Sequence, residues 1–167
     1  MTIMNTIETQ IKEIMSTNQI YRDYELRWQY LLESYLGGEE YRQGAHLTKY
    51  SLETEAEYQA RTRATYLENH CQSVVQVYNS FLFREEPDRD YGSMTNRPEV
   101  EDFCRDADLD GRSMNAFMKD VAVWSSVFGH CWVCVAKPQT QAITLADELS
   151  AGIRPYLSVY TPLVVTD

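Results

Sequence analysis

The stretch from Ser51 to Phe83 contains neither glycine nor proline, and any fold of this chain must accommodate it. Its apolar residues keep helical time. Ala60, Ala64, Leu67, Cys71, Val74 and Tyr78 recur at steps of three and four, which sets them on one face of a helix. Ser51 stands where an N-cap belongs, and Glu53, Glu55 and Glu57 follow where the positive end of the helix dipole favours acids. The pattern predicts one helix from Leu52 to Leu82, about 45 Å long at about 1.5 Å per residue. Such a helix cannot bury its stripe alone, so the rest of the chain or further copies of it must pack there. Arg61 and Arg63 point about 200° apart on that helix and cannot share a local partner. Glu57 precedes Arg61 by four, the favourable order for a pair within the helix. That leaves Arg63 for another element or a neighbouring subunit, where its fork-shaped cation suits a carboxylate.

At 167 residues, 44% of them hydrophobic and 12 of them tyrosine, the chain reads as one domain able to bury a real core. No apolar run reaches the length of a membrane helix, and the first residues lack the charged and apolar regions of a signal peptide. The expectation is a soluble protein made in the cytoplasm, with no membrane partner and with its 4 cysteines reduced. The net charge of −10 is unevenly spread. Residues 84–110 hold 4 basic and 10 acidic side chains, whereas residues 111–167 hold 4 of each. The acidic loop 84–97 is therefore predicted to be solvated, and a chain of this charge is not expected to grip nucleic acid through phosphates.

In order along the chain, Ile7, Ile11 and Ile14 suggest a short first helix. Asn18 can cap a helix over Gln19–Leu36 with Tyr21, Tyr24, Trp28, Leu31 and Tyr35 on one face, stopped by Gly37 and Gly38. Glu39 to Tyr50 reads as a connection. Pro98 opens a helix to about Asp106, and Ser113 precedes another over Met114–Phe128, with Phe117, Val121, Trp124 and Phe128 buried and Gly129 as its stop. His130 to Lys137 is a continuous apolar run, predicted as a buried strand. Thr144 to Ser150 suggests a short capped helix, and Arg154 to Val165 returns to strand composition broken by Pro155 and Pro162. The expected fold is α+β and mainly helical, with long N-terminal helices followed by a small sheet, all within one region 1–167. Leu163, Val164 and Val165 read as strand material with nothing after them to pair with, as though the chain were cut short.

Candidate sites are few. Asp106, Asp108, Asp110 and Gly111 spell the start of a calcium loop, but its twelfth position, where a bidentate Glu belongs, is Phe117. An acidic helix end and a turn fit better. Cys131 and Cys134 with His130 form one CxxC without a second pair. On a strand the two thiols would face opposite ways, so no zinc is expected. His46, His70 and His130 lie far apart with no obvious partner, and the common hydrolytic, dinucleotide, phosphate-loop and zincin motifs are absent. The expectation is a chain with no catalytic residue, cofactor or metal.

Several stretches taken in succession resemble the N-terminal part of the portal proteins of tailed bacteriophages. They are Trp28 with Leu36-Gly37-Gly38-Glu39-Glu40-Tyr41-Arg42, then Tyr50 to Glu53 with Tyr58, Arg61, Arg63, Ala64 and Asn69. Phe81-Leu82-Phe83 and Asp108 to Ser113 with Phe117 follow, then Phe128-Gly129 through Trp132 to Pro138, and Arg154-Pro155-Tyr156-Leu157 with Tyr160. The resemblance implies a non-enzymatic structural subunit of a ring of about twelve copies. That ring sits at a unique vertex of the virion capsid after assembly in the host cytoplasm. It implies as partners the major capsid protein, the terminase motor and head–tail adaptor or connector proteins. Double-stranded DNA passes through during packaging and ejection without tight binding. The long helix would correspond to one in the family's outer wing. Portal subunits run to several hundred residues, so this chain is expected to stop before stem, clip and channel loops, and Lys137 stands before Pro138 where an acid is expected. The main alternative is an acidic helical adaptor without a viral role, its acidic region serving as a protein-docking surface. A third is a calcium-dependent domain built on Asp106, Asp108 and Asp110.

Overall fold

The computed structural model describes residues 18–44, 46–139 and 144–166. The helix expected around Ile7, Ile11 and Ile14 lies outside them. The described chain is mainly helical α+β. Helices α1 (Gln19–Leu36), α2 (Gly38–Gln43), α3 (Glu55–Ala64) and α4 (His70–Leu82) come first, then a 3₁₀ turn at Gly92–Met94. Helices α5 (Pro98–Arg105) and α6 (Met114–Phe128), strand β1 (Trp132–Ala136), helix α7 (Leu145–Ser150) and strand β2 (Tyr156–Tyr160) complete it.

Local chemistry sets most boundaries. The Asn18 side chain accepts from the Ile20 amide at 2.8 Å, and Ser113 accepts from Ala116 at 3.3 Å, so α1 and α6 start where sequence places them. Gly129 closes α6 at φ 85°, a left-handed residue that costs glycine nothing. Gly37 ends α1 at φ 68°, but the chain then turns straight into α2, where a connection is expected. Acids at Glu39 and Glu40 in its first turn and Arg42 in its last match the helix dipole in that short element.

The single helix expected over Leu52–Leu82 is two, separated by residues 65–69. Ser51 is not its cap. Thr54 is, and Thr54 and Glu57 form a reciprocal capping box. At the break Thr65 turns to extended backbone while its hydroxyl bonds back to the Arg61 carbonyl at 2.8 Å. Asn69 then caps α4 through the Gln72 amide at 3.0 Å, and its Nδ2 donates to the Tyr35 carbonyl at 2.8 Å. A side chain that caps one helix and ties down the end of another outcompetes continuation of the ladder. The stripe expected to be buried instead looks outward: Ala60, Ala64, Cys71, Val74 and Tyr78 are exposed, and α4 buries Asn79.

Two small cores share α6. Trp28 and Tyr35 of α1 pack with Val127 and Phe128 of α6, joined by Leu31, Leu32, Val75 and Trp124. Toward the other end of α6, Phe117 packs with Ala107 and Leu157, joined by Phe103, Met118, Val121 and Val159. The element on which the described chain is organised is therefore α6, not the 51–83 stretch. Strands β1 and β2 pair antiparallel from Trp132↔Tyr160 to Ala136↔Tyr156. The ribbon is anchored where the Leu157 amide donates to the Ala107 carbonyl at 2.8 Å. The expected burial of β1 fails, for Trp132, Val133, Cys134 and Val135 are exposed on both faces, because β1 is the outer strand of a two-stranded ribbon that meets the core only through Leu157 and Val159 of β2. Leu163–Val165 is not a strand. It turns back across α1, where the Tyr21 hydroxyl donates to the Leu163 carbonyl at 3.2 Å and the Asn18 amide to the Thr166 carbonyl at 3.0 Å. No described helix is long and apolar enough to cross a membrane.

Candidate functional site: an arginine clamp and two open surfaces

The three residues singled out from sequence, Glu57, Arg61 and Arg63, all lie on α3, but none pairs with another. Glu57 is spent on the helix start: its Oε2 accepts from the Thr54 amide at 2.9 Å and hydroxyl at 2.8 Å. Those bonds, the backbone one first, hold its carboxyl below the usual range. The expected Glu57–Arg61 pair is thus replaced. Arg61 instead grips Glu53 with its fork, Nε to Oε1 and Nη2 to Oε2 at 2.8 Å each, and Nη2 also reaches the Thr48 carbonyl at 2.9 Å. Its guanidinium lies 4.7 Å from the Tyr50 ring centroid and 5.5 Å from that of Tyr58, and the Tyr58 hydroxyl donates to the Leu47 carbonyl at 2.9 Å. Hydrogen bonding from Arg61 holds Glu53 down at about 2. With its edge and its faces engaged inside the subunit, Arg61 works as a clamp holding loop 46–54 on α3.

Arg63 is different. It is exposed, makes no ion pair among the described residues, and only its carbonyl is used, by Arg42 Nη1 at 3.4 Å. It borders a cleft of about 380 Å³ between α2 and α3, with Arg42, Glu39, Tyr58 and Thr62.

Two of the three acids of the calcium-like loop are engaged in folding, and Asp110 is exposed. Asp106 accepts from the Gly111 amide at 2.9 Å and from Arg154 at 2.5 Å. Asp108 accepts from the amides of Asp110 and Arg112 and from the Arg112 guanidinium at 2.5 Å. Burial raises the Asp108 carboxyl, but those three donors outweigh it and leave it below the usual range. Among the described residues no group of three or more His, Cys, Asp or Glu side chains is arranged to hold a metal ion. Cys131 sits ahead of β1 against the Ser125 hydroxyl at 3.2 Å, and Cys134 on β1 is exposed, so the expected pair of buried strand thiols is not formed. Lys137, which stands where the portal resemblance calls for an acid, reaches Glu148 of α7 at 2.5 Å.

One pairing was not legible. His46 Nε2 lies 2.5 Å from Glu33 Oε2, both side chains largely buried, with the imidazole set against Tyr30 and Tyr41 at 4.7 and 4.9 Å. A Cβ at Gly44 would run into both members of the pair and push them aside, so glycine here leaves room for the pair, its φ of −67° being open to any residue. The pair sits in the wall of a trough of about 730 Å³ between α1 and α2, whose apolar lining includes Leu26, Tyr30, Leu36 and Leu163. A second open surface is α4, where Val74, Val77, Tyr78, Phe81 and Leu82 are each more than half exposed. One of these surfaces is an apolar ridge, the other an apolar trough with a polar wall.

No family model matches the chain, and no curated protein matches its sequence.

Proposed function

We propose that this chain is a structural, non-enzymatic subunit of a phage portal vertex. Copies close into a ring that serves as the passage for genome packaging and ejection and as the platform for terminase and head–tail connector proteins within the capsid. The observation that carries the reading is α4, an apolar helix face standing in solvent on a chain of net charge −10. Contiguous apolar surface of this kind marks a place where another protein sits. The ordered succession of portal-like stretches supplies the identity of the assembly. The acidic surface suits a passage that lets duplex DNA slide, since phosphates find few cations to hold them. Arg63, open and unpaired among the described residues, is the cation available for a carboxylate of the neighbouring subunit.

Negative-stain micrographs and sedimentation velocity on the purified chain test this. Closed rings of about a dozen copies are expected. A monodisperse monomer at all concentrations overturns the reading and favours the acidic adaptor, whose exposed 84–90 loop would then be the docking surface. Within the ring reading, Arg63→Glu impairs closure while helical circular dichroism is kept. Arg61→Glu instead loosens loop 46–54, because it puts two acids where the clamp needs a cation.

A further inference from the structure

We infer that copies of this chain join head to tail, the α4 ridge of one seated in the α1–α2 trough of the next. The inference rests on the ring reading and names the contact that builds it. Three observations lead there. First, ridge and trough are distinct surfaces on opposite flanks of α1. Helix α4 lies against the flank of Leu31, Ser34 and Tyr35, with Gln76 donating to the Tyr35 hydroxyl at 2.9 Å. The trough opens on the flank of Leu26, Gln29, Glu33 and Leu36. At about 100° per residue those flanks are centred on nearly opposite sides of the helix. A convex apolar patch and an apolar hollow elsewhere on the same molecule make a heterologous contact, which closes into a ring when the rotation allows.

Second, charge selects the occupant. Helix α4 is the one described α-helix with no Asp, Glu, Lys or Arg, reading His-Cys-Gln-Ser-Val-Val-Gln-Val-Tyr-Asn-Ser-Phe-Leu. The trough carries Glu33 and Glu40 on its wall. Between two copies of net charge −10, a helix face free of acids approaches such a wall without repulsion. Third, size selects the geometry. Tyr78 and Phe81 are the largest of five side chains on the ridge, which presents on the order of 500 Å². That is short of the roughly 800 Å² a side of a stable interface, so ridge on ridge is too small a contact. A trough of about 730 Å³ adds two walls to the contact and brings it toward that size.

Complementation of two variants of the full chain tests the inference. Val77→Glu with Phe81→Glu charges the ridge, and Leu26→Glu with Leu36→Glu charges the trough; all four side chains are exposed, so helical circular dichroism should be unchanged. If either charged variant loses it, the corresponding serine pair takes its place. In sedimentation velocity each variant alone should be monomeric. Their equimolar mixture should form dimers that grow no further, because one partner keeps only its trough and the other only its ridge. Self-dimers of the trough variant, or a mixture that stays monomeric, overturn the head-to-tail contact. Rings formed by either variant alone also overturn it, while leaving the ring reading standing. A monomeric parent chain overturns the ring reading itself, and the inference with it.

Discussion

Replacing Phe117 by alanine tests whether α6 joins the two halves of the described fold. Phe117 is 1% exposed and packs at once against α5, the Ala107 turn and β2. Removing its ring forfeits about 1.5–3 kcal/mol of transfer free energy. The hollow it leaves is bounded by backbone that cannot collapse freely, where Leu157 bonds to Ala107, so the total cost is about 3–5 kcal/mol. In a chain of this size each kcal/mol moves the midpoint by about 2–4 °C, which predicts a Tm lower by about 6–20 °C. Phe81→Ala is the control. By sequence it too removes a phenylalanine from an amphipathic helix, yet its side chain is 71% exposed, and the monomer should change by less than about 0.5 kcal/mol. Urea and thermal melts followed by circular dichroism, at concentrations where the chain is monomeric, measure both. Equal effects at the two positions, or a Phe117→Ala loss below about 1 kcal/mol, would refute the assignment of α6 as the shared core element.

Further outcomes follow from single contacts. Glu53 titrates at about 2 when folded, against about 4.3 for an unfolded carboxylate, so its contribution is complete above the unfolded value and fades as pH falls toward the folded one. Melting temperature should therefore drop between about pH 4.5 and 2, and Glu53→Gln should lower it evenly above that range and flatten part of the drop within it. Asp108→Ala leaves two backbone amides and the Arg112 guanidinium without their acceptor and should cost about 1–3 kcal/mol in a chemical melt. Asp108→Asn with Asp110→Asn, like the parent chain, should show no rise in Tm with millimolar calcium; a rise in the parent lost in the variant would revive the metal site. Duplex DNA should bind only at weak non-specific levels at physiological salt, and sub-micromolar binding with a steep salt slope in a titration would contradict the acidic surface.

Where structure is decided within a few residues, sequence reads it. Asn18, Gly37, Ser113 and Gly129 mark helix ends through bonds to their own neighbours, and α1 and α6 lie where those residues place them. Thr54 and Glu57 also spell a capping box, a local signal that outweighs Ser51 and moves the start of α3. The break after Ala64 has no such local cause. It depends on Asn69 reaching the Tyr35 carbonyl, 34 residues away, and a repeat of three and four cannot report that. The same limit hid Glu53 as the partner of Arg61, since the two meet through the turn that leads into the helix and not along it. His46 and Glu33 meet only because α2 doubles back beside α1, and Gly44, which makes room for them, reads in sequence as an ordinary turn residue. Periodicity told which side chains of α4 share a face. Which way that face looks is a tertiary fact, and it looks outward.

The bond between the Asn18 amide and the Thr166 carbonyl has a topological consequence. It brings residues 18 and 166, the two ends of the described fold, to one point beside α1. The fold can thus be carried as an insert on a two-stranded neck. It can equally be permuted: joining 166 to 18 through a short linker and opening the exposed 84–90 loop would preserve both cores while moving the free ends to the acidic side of the molecule.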